Sequence, residues 1–520
     1  MTFTDLWRVD LGSRRYLRLA VVLFLVNTLC MLVRYGQLPI APVQGDEVII
    51  NDAAVSLGTG HGYAAASFAG SPYGIDHLYA HYPPLYPLTE SLAIRAFGVS
   101  VYSLRFTTTA MSLAASALLL LLLYFLASEK VLDWTAASLI GALYCTCGPL
   151  IIVERMARME SMIALLVHVA FSAVMIAAVS ARDHAVSSGL VRYGVIGCGV
   201  FSGLALAVHP EALSAVLLLA PLVVLAVPDY WGSKALSLLL VPLMPMVVWV
   251  LTFRSRSLVA LRQFRAILHS ATPGESPIGP WLRDRLHDSD AASINQHLLL
   301  VLILALVVLS LVCFLSKMRR ASVSPLRYRL SAAFAVASVL ELAAMQWFLH
   351  MNVARYQFLY GPLLVGVAIT LFGERKVRPV WRNVACLIVA LQVISIAIYL
   401  SPRRRGAHDT NPDRFMPIIH SLPLGASVAA SGEFWLDFEE LGQPMTLIYN
   451  GHDGRDMWSR QPGNPLDRFD AVVLVENDDN LNAFMQTQLA TGRRRVAYQI
   501  GEDTVGVYLR EPSPAATQSR

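Results

Sequence analysis

"SLRFTTTAMSLAASALLLLLLYFLA", residues 103–127, decides the class of fold. A helix needs about 20 mostly apolar residues to cross a bilayer, and this run is longer than that. Ten further apolar runs lie near 16–34, 134–153, 160–180, 192–208, 211–228, 235–252, 297–316, 330–349, 356–372 and 383–400. Composition agrees: 55% of the 520 residues are hydrophobic and 15% are charged, with mean hydropathy +0.53. A soluble domain carries about 25% charged residues. We therefore read a polytopic α-helical membrane protein with about 11 transmembrane helices. The first run lacks a small-residue cleavage site and is expected to stay as an anchor. The cysteines, Cys30, Cys145, Cys147, Cys198, Cys313 and Cys386, all fall inside apolar runs. There a thiol behaves as a small hydrophobe, and no disulfide or metal pattern emerges.

Basic residues orient the helices. Arg8, Arg14, Arg15 and Arg18, then Lys130, Arg182 and Arg192, Lys234, the group Lys317 to Arg329, and the group Arg375 to Arg382 fall in alternate connections. By the positive-inside rule those connections are cytoplasmic. The odd count of spans places the C-terminal tail outside. The expected location is the plasma (inner) membrane, with the remaining loops extracytoplasmic. "QGDEVII" (44–50), "HYPPLYP" (81–87), "ERMARMES" (154–161), "HPE" (209–211), the loop 253–296 and "NVARYQF" (352–358) then all face outward. Their unusual polar residues converge on one face of the bilayer.

Two domains are expected. Residues 1–402 form the membrane domain, with a large first outer loop at 35–102. Residues 403–520 follow a linker, "SPRRRGAHDTNP", and read as a small extracytoplasmic mixed α/β domain. Its strands are expected at 426–431, 445–450, 470–477, 495–500 and 505–510, with helices near 433–441 and 479–491. The final "PSPAATQSR" reads as disordered.

The first outer loop holds the densest chemistry. Asp46 and Glu47 stand side by side, and carboxylates near a membrane cost free energy unless something uses them. Helical spacing follows until Gly58, Gly60 and Gly62 break it. Pro83 and Pro84 fix an extended turn, and "LYPLTESLAIRAFG" reads as an amphipathic interfacial helix.

In this order the elements resemble the GT-C glycosyltransferases, in the branch of the protein O-mannosyltransferases and aminoarabinose transferases. The resemblance rests on the Asp46–Glu47 pair after the first membrane helix, the G-x-G segment, the Pro-Pro-Leu motif, and an F-G element followed by an arginine. It rests further on R-x-x-R-x-E at Arg155, Arg158 and Glu160, and on "ARYQFLYGPLL" with Arg355 and Tyr356. It covers roughly residues 1–400. One position departs: the aminoarabinose branch has a Lys before its proline pair, where this chain has Tyr82 preceded by His81.

The resemblance implies a hexosyl- or pentosyltransferase that takes a sugar from a polyprenyl-phosphate carrier. It passes the sugar, with inversion, to an acceptor hydroxyl on a lipid, glycan or protein. Membrane lipids are the remaining partners, and no nucleic acid is expected. The acceptor hydroxyl must lose a proton as it attacks, so a carboxylate base is needed. Asp46 takes that role by the family pattern, with Glu47 supporting it. The lipid phosphate needs guanidinium partners, whose forks match phosphate oxygens. His81, Arg155, Arg158, Glu160, Arg262, Arg265, Arg355 and Tyr356 are the candidates for binding it.

Plain structural roles compete with each of these. Asp46 and Glu47 also suit a helix start, Arg158 and Glu160 an interfacial ion pair, and Arg355 with Tyr356 a snorkelling pair. "RSRSLVALRQFR" (254–265) also suits a headgroup-binding helix. A divalent cation at Asp46, Glu47 and the histidines around Asp76, His77 and His81 is the one cofactor left open, although hard cations need several convergent oxygens. At the level of the whole chain, a transporter or flippase for a lipid-linked sugar is the alternative. Such proteins place polar groups at the midplane of repeated halves, a pattern not visible here. A bare membrane anchor for the tail leaves the motifs without purpose.

The orientation is open to direct test. A cysteine placed at Gly45 or Gly62 is expected to react with an impermeant thiol reagent on intact cells, and one at Ala321 to stay protected. The opposite pattern contradicts the orientation.

Overall fold

The structure, a computed structural model, describes residues 11–37, 45–68, 74–153, 157–182, 188–270, 291–317, 324–347, 357–372, 377–399, 414–448, 465–476, 493–500 and 503–510. Fifteen helices, among the described residues, make up the first 400 positions. They are α1 (Leu11–Gln37), α2 (Gly45–Gly58), α3 (Leu85–Phe97), α4 (Val101–Ser128), α5 (Trp134–Cys145), α6 (Gly148–Val153), α7 (Glu160–Ser180) and α8 (Ser188–Leu206). Then follow α9 (Leu213–Pro221), α10 (Trp231–Phe253), α11 (Ser257–Ser270), α12 (Ala291–Lys317), α13 (Pro325–Trp347), α14 (Gln357–Leu371) and α15 (Pro379–Tyr399). Every apolar run read from the sequence contains helix. Among the described residues, five segments are long and apolar enough to cross a membrane: Gly12–Leu32, Val101–Ser128, Glu160–Ser180, Ser188–Leu206 and Trp231–Arg265.

Two runs depart from single helices for local reasons. The run at 134–153 breaks between α5 and α6. Thr146 closes α5 by turning its hydroxyl onto the Ala142 carbonyl at 2.7 Å, and Pro149 follows. Proline lacks the N–H that would carry the helix through. At 211–228, Pro221 ends the regular turn of α9, and residues Leu222–Ala226 widen into a π-turn.

The bundle is packed through small residues. Gly199 and Gly203 of α8 lie directly against α10: a Cβ on Gly199 would meet the Ser237 carbonyl oxygen at 2.2 Å, and one on Gly203 the Leu240 carbonyl oxygen at 2.7 Å. Such contacts replace the hydrophobic drive that is missing between helices in lipid. The bundle core is apolar, with Leu119 and Leu123 of α4, Phe171 and Val174 of α7, Phe334 of α13 and Phe358 of α14 all buried.

Among its described residues the tail carries α16 (Met416–His420), α17 (Trp435–Glu440) and five strands: β1 (Val428–Ser431), β2 (Met445–Ile448), β3 (Ala471–Val475), β4 (Arg493–Ile500) and β5 (Asp503–Arg510). The sheet order is β2-β1-β3-β5-β4; the first three strands run parallel, and β5 pairs antiparallel with β3 and β4. A small helical and sheet unit was expected here, and the five strands fall on the expected runs. The expected helix at 479–491, the linker at 401–412 and the final residues lie outside the described residues.

The tail does not carry its core alone. Val48, Ala53 and Val55 of α2 share one buried cluster with Phe415, Phe434, Trp435, Phe438 and Leu447 of the tail. The first loop thus inserts a helix between the bundle and the sheet.

Replacing Gly199 by Ala is expected to destabilise the chain by at least 1–3 kcal/mol, roughly the cost of overpacking a tight core. Gly232→Ala, where a Cβ meets nothing within 4 Å, is expected to change the unfolding midpoint little in the same detergent assay.

Candidate functional site

The site grows from the start of α2. Glu47 is buried to 1% exposure at that helix end, where a carboxylate needs partners. It has them. Both oxygens lie 3.2 Å from Nη2 of Arg105, one turn into α4, and Oε1 accepts the backbone N–H of Ala157 at 2.7 Å. Asn51, one turn later on α2, donates to the Ala157 carbonyl at 2.8 Å. The segment before α7 is thereby held at both its N–H and its C=O by one face of α2. Three stretches far apart in the chain, the acidic pair, the arginine after F-G and R-x-x-R-x-E, meet at this point.

Within that last motif, Arg158 and Glu160 form a buried ion pair, with Nη2 to Oε1 at 2.9 Å and Nε to Oε1 at 3.1 Å. Just beyond it, Ser161 accepts from Ser112 of α4 at 3.0 Å. The capping box at the start of α4, in which Ser100 and Ser103 bond reciprocally, sets that helix's entry and so places Arg105.

Under α3 lies a second acid. Glu90 is fully buried beside Tyr86 and Thr107, and burial holds its carboxyl well above the usual carboxylate range, with those two hydroxyls pulling it part way back. Burial likewise raises the Tyr86 phenol, and the charges of Glu90, Glu47 and Glu160 add to it. Tyr86 therefore stands amid three carboxyl groups, and it joins the α2 region to the proline turn that precedes it.

Pro83 and Pro84 are buried in that turn, which is tied to the end of α8 by the Leu85 N–H bonding the Ala207 carbonyl at 3.2 Å. The His81 ring meets Tyr82 edge-on at 4.5 Å, and Tyr82 lies 5.2 Å from the His209 ring. His209 itself caps the turn at Glu211, whose N–H it accepts at 3.2 Å. "HYPPLYP" and "HPE" are thus brought together. Ala80 also packs with Phe253 and Ala260, so α11 stands beside the same turn. The chain reverses into α11 at Arg254, whose φ of 45° is left-handed. Arg262 and Arg265 lie exposed on α11 together with Leu258, Val259 and Leu261.

Arg155, Arg355, Tyr356 and the side chain of Asp46 lie outside the described residues; the backbone of Asp46 sits in the first turn of α2. Sequence reading gave no role to Arg105, Glu90, Tyr86 or Asp52. Arg105 entered only as the arginine after F-G, one of the elements of the resemblance. As for a divalent cation, no three His, Cys, Asp or Glu side chains among the described residues converge to hold one. Glu47, an expected contributor, has its carboxylate committed to Arg105 and Ala157.

No protein-family profile matches the chain, and neither does any curated protein. Solved structures do. An oligosaccharyltransferase from Archaeoglobus fulgidus, tethered with an acceptor peptide containing the NVT sequon, aligns with 96% of this chain and 74% of its own, at TM-score 0.51 and 11% identity. The chain shares the GT-C fold. The apo form of that archaeal protein aligns over 83% of this chain and 64% of its own, at TM-score 0.50 and 12% identity. ArnT from Cupriavidus metallidurans bound to undecaprenyl phosphate aligns over 96% and 98%, at TM-score 0.46 and 12% identity. The expected likeness to GT-C glycosyltransferases holds at the level of the fold.

The Glu47–Arg105 pair yields a stability prediction. Arg105→Met leaves a buried carboxylate without its counter-charge and is expected to cost about 3–5 kcal/mol. The double variant Glu47→Leu/Arg105→Met is expected to recover part of that loss. Denaturant midpoints of the purified proteins check both.

Proposed function

We propose that this chain is a membrane glycosyltransferase that moves a sugar from a polyprenyl-phosphate carrier to an acceptor hydroxyl at the extracytoplasmic face. The observation that carries the reading is the bond from the Ala157 N–H to Glu47 at 2.7 Å. It seats the acidic pair on the R-x-x-R-x-E segment, two of the motifs on which the resemblance rests. The GT-C fold supports it independently.

In this reading the acceptor oxygen attacks the anomeric carbon from the side opposite the phosphate. The new carbon–oxygen bond forms as the bond to the phosphate oxygen breaks. The acceptor's proton passes to the Asp46 carboxylate, and the polyprenyl phosphate leaves with the electron pair. A phosphate monoester is already a weak base, so no general acid is required. Glu47 holds the helix that carries the base and does not share the proton. The leaving charge is met by guanidinium groups, for which Arg262 and Arg265 are candidates on α11, the helix whose Ala260 packs against Ala80. Arg155, Arg158, Arg355 and Tyr356 complete the candidate set. No step is routed through a metal.

Purified protein given radiolabelled polyprenyl-phosphate sugars and a panel of acceptors is expected to release the polyprenyl phosphate and label an acceptor. Asp46→Asn is expected to lower turnover by on the order of 10²–10⁴, the range for removing a general base. Donor binding is expected to survive, because the phosphate contacts lie elsewhere. Wild-type turnover in a folded Asp46→Asn variant contradicts the assignment. Passage of the intact lipid-linked sugar across a proteoliposome membrane, without transfer, replaces it with a transporter.

A further inference from the structure

The helix that carries the acidic pair is gripped from a second side. Asp52 lies on α2, five residues after Glu47, and is fully buried. Its Oδ2 accepts the Ser67 N–H at 3.0 Å, and its Oδ1 accepts the Ser67 hydroxyl at 2.9 Å and the Trp435 Nε1–H at 3.1 Å. Trp435 opens α17 in the C-terminal domain, and its ring is wholly buried. A hydrogen bond thus crosses from the C-terminal domain to the helix of the proposed base. An indole nitrogen only donates, so the bond has one direction and one partner.

A purely adhesive contact would not need this bond. Val48, Ala53 and Val55 already meet Phe434, Trp435 and Phe438 in one apolar cluster. Burying a carboxylate in such a cluster costs free energy that an apolar pair would avoid. What a directional bond adds is a fixed rotation and depth for α2.

We propose that Trp435 and Asp52 are positioning residues for the transfer reaction: the C-terminal domain sets the placement of α2, and through it the placement of Asp46. The inference rests on the reading of Asp46 as base.

Glu439, one turn after Trp435, adds a pH dependence. Burial, and then the nearby Asp52 charge, push its carboxyl up to about 8; burial pushes Asp52 up to about 6 against the bonds from Trp435 and Ser67. Among the described residues Asp52 is the charged group that bears on Glu439, and Ser67 the neutral one. Both carboxyls hold protons more tightly when docked than when exposed. Docking is therefore strongest in acid, and it weakens as pH rises from the ordinary carboxylate range towards about 8.

The test uses the full-length protein. Trp435→Phe keeps the ring and removes the donor. Amide exchange across residues 45–58, normalised to intrinsic rates, is expected to rise roughly tenfold or more, the worth of a bond to a charged acceptor. Exchange in α4 and α7 is expected to stay unchanged, which reports that the bundle is folded. The kcat is expected to fall several-fold with the donor KM unchanged. In wild type the α2 exchange is expected to rise between pH 6 and 8, and Glu439→Gln to flatten that rise. Wild-type exchange and kcat in Trp435→Phe overturn the proposal. So does faster α2 exchange with unchanged kcat and KM, which makes the bond structural only. If wild-type protein transfers no sugar, the transfer reading falls with the proposal, while the exchange arm still decides whether the domain holds α2.

Discussion

The architecture of this protein depends on one buried carboxylate, Glu47, and on the two groups that neutralise it. An isolated carboxylate at the edge of a membrane bundle is costly enough to change the fold around it. Here the guanidinium of Arg105 and the backbone N–H of Ala157 converge on it from α4 and from the start of α7. Because each partner belongs to a different part of the chain, satisfying the charge fixes where α2 lies. The pair is weak as a source of net stability, since two well-packed apolar residues would do as well. Its effect is on placement: α2 must sit with its first turn against the R-x-x-R-x-E segment, or Glu47 is left unpaired.

The opposite face of α2 carries the same logic with other atoms. Asp52 accepts from Ser67 and Trp435, and Val48, Ala53 and Val55 pack against the tail. A fourteen-residue helix is too short to be stable alone in water, so tertiary contacts must hold it. This one is wedged between a helical bundle and a sheet, and each wall is pinned by one buried carboxylate. The C-terminal domain is thus a structural part of the candidate site and not merely attached to it.

How much of this was legible in the sequence follows from range. The helices were legible because each apolar run reports its own environment, residue by residue, and the strands of the tail alternate with turns in the same local way. The breaks at Thr146–Cys147 and Pro221 were less so: both sit inside continuous apolar runs, and only the prolines mark them. At the site, Asp46 and Glu47 drew notice as acids out of place. The pairing of Glu47 was not legible, because Arg105 is 58 positions away and Ala157 contributes only its backbone. The Trp435–Asp52 bond spans 383 positions, and a lone tryptophan in an unremarkable stretch gives no signal of its partner. Arg158 and Glu160, read as phosphate-binding candidates, are paired with each other, the structural role that also suited their spacing.

The central claim is that a lipid phosphate is received beside the first turn of α2, where α2 meets the segment before α7. The most direct measurement is a cryo-EM structure of the full-length protein with a bound polyprenyl phosphate. The account predicts phosphate density beside the first turn of α2, bounded by the His81 turn and within reach of at least one arginine of α11 or of the R-x-x-R-x-E segment. Phosphate density at the other end of the bundle, near the connection between α12 and α13, would contradict it.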